Sequence, residues 1–148
     1  MKLKRILLTT DLSEESFRPF AAVATLAKDI GAGVTLLNFV QDLAATPHGA
    51  PLAPPVASLD LGPQMERARK ELDDRRASLP EDVDITTEVL SAQDVAKAIV
   101  KYATDEKVDL IAISTHGRKG WRRLALGSVA ERVLRESPVP VLSFHRPE

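Results

Sequence analysis

The sequence predicts an α/β fold in which five parallel strands form one doubly wound sheet, in the order 3-2-1-4-5, with helices on both faces. Three observations carry this expectation. Apolar runs that suit strands alternate with amphipathic stretches, β-α-β-α-β-α-β-α-β, along the whole chain. The first, second and fourth runs are apolar throughout rather than alternating, as strands buried on both faces are. Connections between parallel strands are right-handed, and a chain reversal after strand one sets strands 1 and 4 side by side at the centre.

Each element has its own signal. Residues 3–10 hold the consecutive apolar Ile6, Leu7 and Leu8 of a buried strand. Ser13 suits a helix N-cap, with Glu14 and Glu15 in the first turn. Phe17, Phe20, Ala21, Ala24 and Ala27 then recur at helical spacing until Gly31. Residues 34–40 form the second strand. In 41–58 periodicity breaks among Pro47, Pro51, Pro54 and Pro55, which predicts an irregular, mobile excursion. Met65, Ala68, Leu72 and Leu79 share a face of the next helix, whose other face is charged. Residues 83–90 alternate through Val83, Ile85, Thr87 and Val89, as a half-exposed strand near an edge does. Residues 91–107 read as helix with Ala96, Ile99, Val100 and Ala103 inward, and 108–115 as the most apolar strand. Ser128 and Glu131 form an S-x-x-E capping box that opens the last helix. The final strand, from Val139 to Phe144, falls at a sheet edge and contains Pro140, which a central strand disfavours. Together these elements describe a three-layer, Rossmann-like arrangement, expected to be a single domain over 1–148.

Composition narrows the function. At 148 residues the chain can bury a proper core. Twenty Lys and Arg stand against 21 Asp and Glu. This near-neutral balance argues against a general binder of nucleic acid or anionic membrane, which needs a basic surplus. There is no cysteine, which removes disulfides, thiolate metal sites and cysteine nucleophiles. The basic N-terminus has too short an apolar run for a signal peptide, and no stretch reaches membrane-spanning length, so a cytoplasmic location is expected.

Ligands of doubly wound sheets bind at the carboxyl ends of the strands, at the switch point. Two polar turns should meet there: Thr9-Thr10-Asp11 after strand one, and Ser114-Thr115-His116-Gly117 after strand four. Beyond the second turn, Gly127-Ser128-Val129-Ala130-Glu131 opens a helix. The unpaired N–H groups of its first turn, with the helix dipole, favour an anion such as phosphate. Alone, Asp11 reads better as an Asx-turn or helix-start residue than as a ligand contact, and Ser128 can be a plain cap. Arg118, Lys119, Arg122 and Arg123 supply positive charge nearby, or simply a solvated loop. Trp121 better suits a loop anchor than a base-stacking platform. His116 has no catalytic partner placed by spacing, and His48 and His145 are too isolated for a metal site.

At these residues the chain resembles the universal stress proteins, in particular their nucleotide-binding branch. The matching segments are Thr-Asp-Leu-Ser (10–13), Leu-Leu-Asn-Phe-Val (36–40), Val-Asp-Leu-Ile (108–111), and the tail from Gly127-Ser128 to Pro-Val-Leu (140–142). That branch carries Gly, two residues, Gly, nine residues, then Gly-Ser or Gly-Thr. Here the spacing is Ser114, Thr115-His116, Gly117, residues 118–126, Gly127-Ser128, with serine in place of the first glycine. The resemblance implies an adenine nucleotide ligand: ATP, or AMP or ADP, with Mg as a companion of the phosphates. It implies that Asp11 meets the ribose or adenine end and that the backbone of Thr9 and Phe39 frames the adenine. Ser114, Gly117, Arg118, Gly127, Ser128 and Val129 would wrap the ribose and phosphates, with Thr10, Thr115, His116 and Ala130 beside them. It further implies an antiparallel homodimer through the strand from Val139 to Phe144, and action in stress response through a protein partner that nothing in the chain identifies.

Ser114 follows Ala112 and Ile113 along a strand, so its backbone is expected to be extended. A left-handed backbone there would cost a side chain roughly 1–2 kcal/mol; an extended one costs only the space of a hydroxymethyl. Binding weakened or retained, rather than abolished, is the expectation. Two other functions stay open: a slow ATPase, although no Walker motif or water-activating residue is present, and a nucleotide-independent dimeric scaffold. A phosphoacceptor receiver is disfavoured, because strand three ends Glu88-Val89-Leu90-Ser91 without an acceptor aspartate.

Overall fold

The computed structural model describes residues 2–42, 60–115 and 128–145. Its elements are β1 (Arg5–Thr10), α1 (Glu14–Phe17), α2 (Pro19–Ile30), β2 (Gly33–Gln41), α3 (Gly62–Ala77), β3 (Ile85–Ala92), α4 (Val95–Asp105), β4 (Leu110–Ser114), α5 (Ser128–Glu136) and β5 (Val141–Phe144). The sheet runs β3-β2-β1-β4-β5 and every pairing is parallel, as predicted.

Two apolar layers sandwich the sheet. On one face Ile6, Leu8, Val34, Leu36 and Ala112 meet Phe20, Val23 and Ala27 of α2 and Ala68 and Leu72 of α3. On the other, Leu7, Leu37, Ile111 and Ile113 meet Ala96, Ile99 and Ala103 of α4 and Ala130 and Val133 of α5. Adjacent residues of β1 thus feed opposite cores, which is why this strand shows no polar alternation.

Several boundaries differ from expectation for identifiable reasons. The first predicted helix is broken in two, because Pro19 lacks an N–H and restarts the helix at its first positions. Arg75 of α3 then ties α1 down: its guanidinium lies 4.1 Å over the Phe17 ring and pairs with Glu14. Strand β2 continues to Gln41, and the Asp42 N–H still donates to the Ala92 carbonyl at 2.9 Å. The irregular excursion expected at 41–58 therefore begins later, and its residues 43–58 lie outside the described ones. Ser91 and Ala92 belong to β3, so α4 starts at Val95, capped by the Asp94 side chain on the Lys97 N–H. Pro140 sits just before β5, where its carbonyl accepts from the Ile111 N–H at 2.9 Å and its missing N–H costs no ladder bond.

Two helix ends form a natural pair. After α2, the Ala32 N–H donates to the Ala27 carbonyl and the Gly31 N–H to that of Lys28, with Gly31 left-handed at φ 67°. After α4, Val108 and Lys107 donate in the same way to Ala103 and Thr104, but the left-handed residue is Lys107, at φ 53°. Both are Schellman ends, which favour glycine. Gly31→Ala should therefore cost about 1 kcal/mol, from backbone strain alone, since nothing lies within 4 Å of the added Cβ. Lys107→Gly should gain roughly 0.5–1 kcal/mol. Urea unfolding of both variants checks this; shifts of the same sign would contradict it.

Candidate functional site

The carboxyl ends of β1, β4 and β5 form one row beside Asn38 of β2, a strand that runs on to Gln41. Thr10 pairs in register with Asn38, and Ser114 with Phe144. β1 and β4 lie side by side, with Leu8 opposite Ala112, so the ends at Thr10 and Ser114 are neighbours. The Ser114 hydroxyl closes the gap by donating to the Glu15 carbonyl of α1 at 3.3 Å. The described parts of the two polar turns, Thr9–Asp11 and Ser114–Thr115, thus lie beside each other; His116 and Gly117 lie outside the described residues.

The turn after β1 is held by its own side chains. The Thr10 hydroxyl lies 2.6 Å from that of Ser16 and accepts from the Leu12 N–H at 2.9 Å. The Ser16 hydroxyl donates to the Ser13 carbonyl at 2.8 Å, so the Thr10–Ser16 bond takes its hydrogen from Thr10. Asp11 is exposed, and its Oδ1 accepts from both the N–H and the hydroxyl of Ser13. Ser13 in turn caps α1 as predicted. Leu12 has φ 65°, a left-handed backbone that a branched side chain tolerates poorly, while its side chain packs on the core cluster that includes Phe17.

At the end of β4, Ser114 is the last strand residue and is extended, as expected. Thr115 is 1% exposed; both its N–H and its hydroxyl donate to the Phe144 carbonyl, at 3.1 and 3.2 Å. Its Oγ1 also lies 3.2 Å from Nδ1 of His145, whose Nε2 is 3.3 Å from the Ser143 hydroxyl. Sequence spacing set His145 aside as isolated, because β5 brings it beside β4 only in three dimensions.

Ser128, Val129 and Ala130 are the first described residues of α5, and their N–H groups have no acceptor within its described part. Ala130 is 3% exposed and seats that turn on the sheet, while Ser128 and Val129 face outward. Ser128 is the first described residue of α5, and no hydrogen bond joins it to Glu131 among the described residues. Arg132 steadies the helix, donating to both carboxylate oxygens of Asp94 at 2.8 and 3.0 Å. The Lys97 N–H and this guanidinium hold the Asp94 carboxyl below the usual carboxylate range. Of the other expected site residues, His116, Gly117, Arg118 and Gly127 lie outside the described residues, as do His48, Lys119, Trp121, Arg122 and Arg123.

Thr9 is 7% exposed and Phe39 packs against the α4/α5 core. Next to Phe39 in β2 is a residue that site reading passed over. Asn38 is 4% exposed; its Nδ2 donates to the Thr10 carbonyl at 2.9 Å, and its Oδ1 has no partner among the described residues. An asparagine inside an otherwise apolar strand was the available signal, since buried polar groups normally find partners.

The mouth thus offers a carboxylate, hydroxyls and a helix N-terminus, which together suit a ligand with hydroxyls at one end and phosphate at the other. Among the described residues no three His, Cys, Asp or Glu gather to hold a metal. The expected Mg would rest chiefly on phosphate oxygens, as it does in many nucleotide sites. The extended backbone of Ser114 makes its side chain cheap, and Ser114→Gly should change ATP affinity by less than about tenfold. Binding that appears only in the glycine variant, by calorimetry, would overturn this account.

The model of the universal stress protein family matches residues 2–145. Universal stress protein MJ0531 of Methanocaldococcus jannaschii is 31% identical over 145 residues, covering 98% of this chain and 84% of that relative. Among solved structures, the universal stress protein UspA from Lactobacillus plantarum is 22% identical with a TM-score of 0.73, covering 97% of this chain and 99% of that one. A universal stress protein solved in complex with cAMP is 21% identical with a TM-score of 0.66, covering 98% of each chain.

Proposed function

This chain belongs to the universal stress protein family, and from that premise we propose that it binds an adenine nucleotide where β1, β2 and β4 end. The observation that carries the reading is the meeting of the Asp11 turn with the end of β4, closed by the Ser114–Glu15 hydrogen bond. The fold-mate solved with cAMP supports an adenine nucleotide as the ligand class. The phosphates lie at the first turn of α5, where unpaired N–H groups and the helix dipole attract anions. Asp11 lies away from them, at the ribose or base end, because a carboxylate repels phosphate. Ser114, Thr115, Ser128 and Val129 line the path between, with Gly117, Arg118 and Gly127 assigned by the family spacing. ATP, ADP or AMP is the ligand, and stress adaptation in the cytoplasm through a protein partner is the role.

Titration calorimetry of the purified chain with ATP, ADP, AMP and cAMP tests this reading. One saturable site for at least one of them is expected. No heat and no thermal shift with any would leave the nucleotide-independent scaffold. The functional unit is a homodimer formed through β5, the outermost strand, where Leu142 is 36% exposed. Light scattering should give twice the 16.1 kDa chain mass at micromolar concentration; a single chain mass excludes the dimer.

A further inference from the structure

We propose that Asn38 selects the base of the bound nucleotide, its Oδ1 accepting a hydrogen bond from an exocyclic amine at the position of the adenine 6-amino group. The inference rests on the nucleotide reading above and adds what that reading lacks, a side chain that distinguishes one purine from another. Asn38 is 4% exposed, and its Oδ1 is buried without a partner among the described residues. Bulk water is kept from it, so the atom's desolvation goes uncompensated. Its orientation is fixed. Nδ2 donates to the Thr10 carbonyl at 2.9 Å, and turning the amide over would set Oδ1 against that carbonyl, acceptor against acceptor.

Position identifies the missing partner. Asn38 is in register with Thr10 at the level where β1 leaves the sheet, one strand away from the switch point between β1 and β4. An acceptor cannot recognise phosphate, which carries acceptors only; it needs a donor. The anion-attracting turn of α5 follows β4, on the far side of β1 from β2. A ligand that lays its phosphates there and crosses β1 presents its other end, the base, to β2. Asp11, on the turn between, takes the ribose hydroxyls. The base's own donor at its periphery is the amine, and a purine carrying a 6-oxo group in that place would put a second acceptor against Oδ1.

The test compares ATP with inosine triphosphate, which replaces the 6-amino group by oxygen, on wild type and on Asn38→Leu, a near-isosteric change. Wild type should prefer ATP by roughly tenfold or more, and the preference should fall toward one in Asn38→Leu, mainly through lost ATP affinity. An unchanged preference in the variant assigns base selection to the backbone and overturns the proposal, as does equal binding of both nucleotides by wild type. Should Asn38→Leu fail to fold, a crystal structure of the wild type with ATP decides. An amine nitrogen within hydrogen-bond reach of Oδ1 supports the assignment, and a lone buried water there overturns it. Wild type that binds neither triphosphate defeats the nucleotide reading itself, and this assignment with it.

Discussion

Replacing Asp11 with alanine is expected to weaken ATP binding about ten- to a hundredfold while leaving the fold in place. A hydrogen bond to a charged acceptor contributes about 1.5–3 kcal/mol, and each 1.4 kcal/mol is tenfold in affinity. Asp11 is exposed, so its loss opens no cavity. It does have a local duty, since Oδ1 accepts from the Ser13 N–H and hydroxyl. Asp11→Asn separates the two roles: it keeps a turn acceptor and removes the charge. Calorimetry should place Asp11→Asn between wild type and Asp11→Ala, with thermal melts showing only small shifts. Wild-type affinity in both variants would reduce Asp11 to the turn residue that its sequence context alone allowed.

Leu72→Ala should produce the largest loss of stability, about 3 kcal/mol, within the range found for buried leucines truncated in place. Of the 16 residues of α3, only Ala68 and Leu72 are buried, and Leu72 is 0% exposed. The rest of the helix is charged or partly exposed, and its exposed ion pairs contribute little. One side chain therefore supplies most of the grip that α3 has on β2 and β3. Against a typical stability of 5–15 kcal/mol, that loss is a large fraction. Denaturant unfolding should show a lower midpoint with an unchanged slope. A loss under about 1 kcal/mol would mean that partly buried Met65 and Leu79 hold the helix.

These expectations show where sequence was informative. Strand order followed from patterning, because burial on both faces and right-handed connection leave few alternatives for Leu7, Leu37 and Ile111. The meeting of Asp11 with the end of β4 followed from that order. What escaped was set by single backbone groups. Pro19 broke a helix whose apolar spacing continued undisturbed across it. Ser91 and Ala92 read as helix because the true cap, Asp94, is three residues on. Asn38 and His145 carry no local motif. Their interest arises from partners 28 and 30 residues away, Thr10 and Thr115, and spacing rules do not reach that far.

Leu12 has one more consequence. Its left-handed backbone is unfavourable by itself, and the seat its side chain finds on the core cluster that includes Phe17 keeps it there. Local geometry next to Asp11 is thereby coupled to the tightness of the interior. Loosening around Phe17, by warming or by a smaller residue, would let the turn relax toward ordinary angles while the sheet stays intact. Capture of a ligand should then fade several degrees below the global melt.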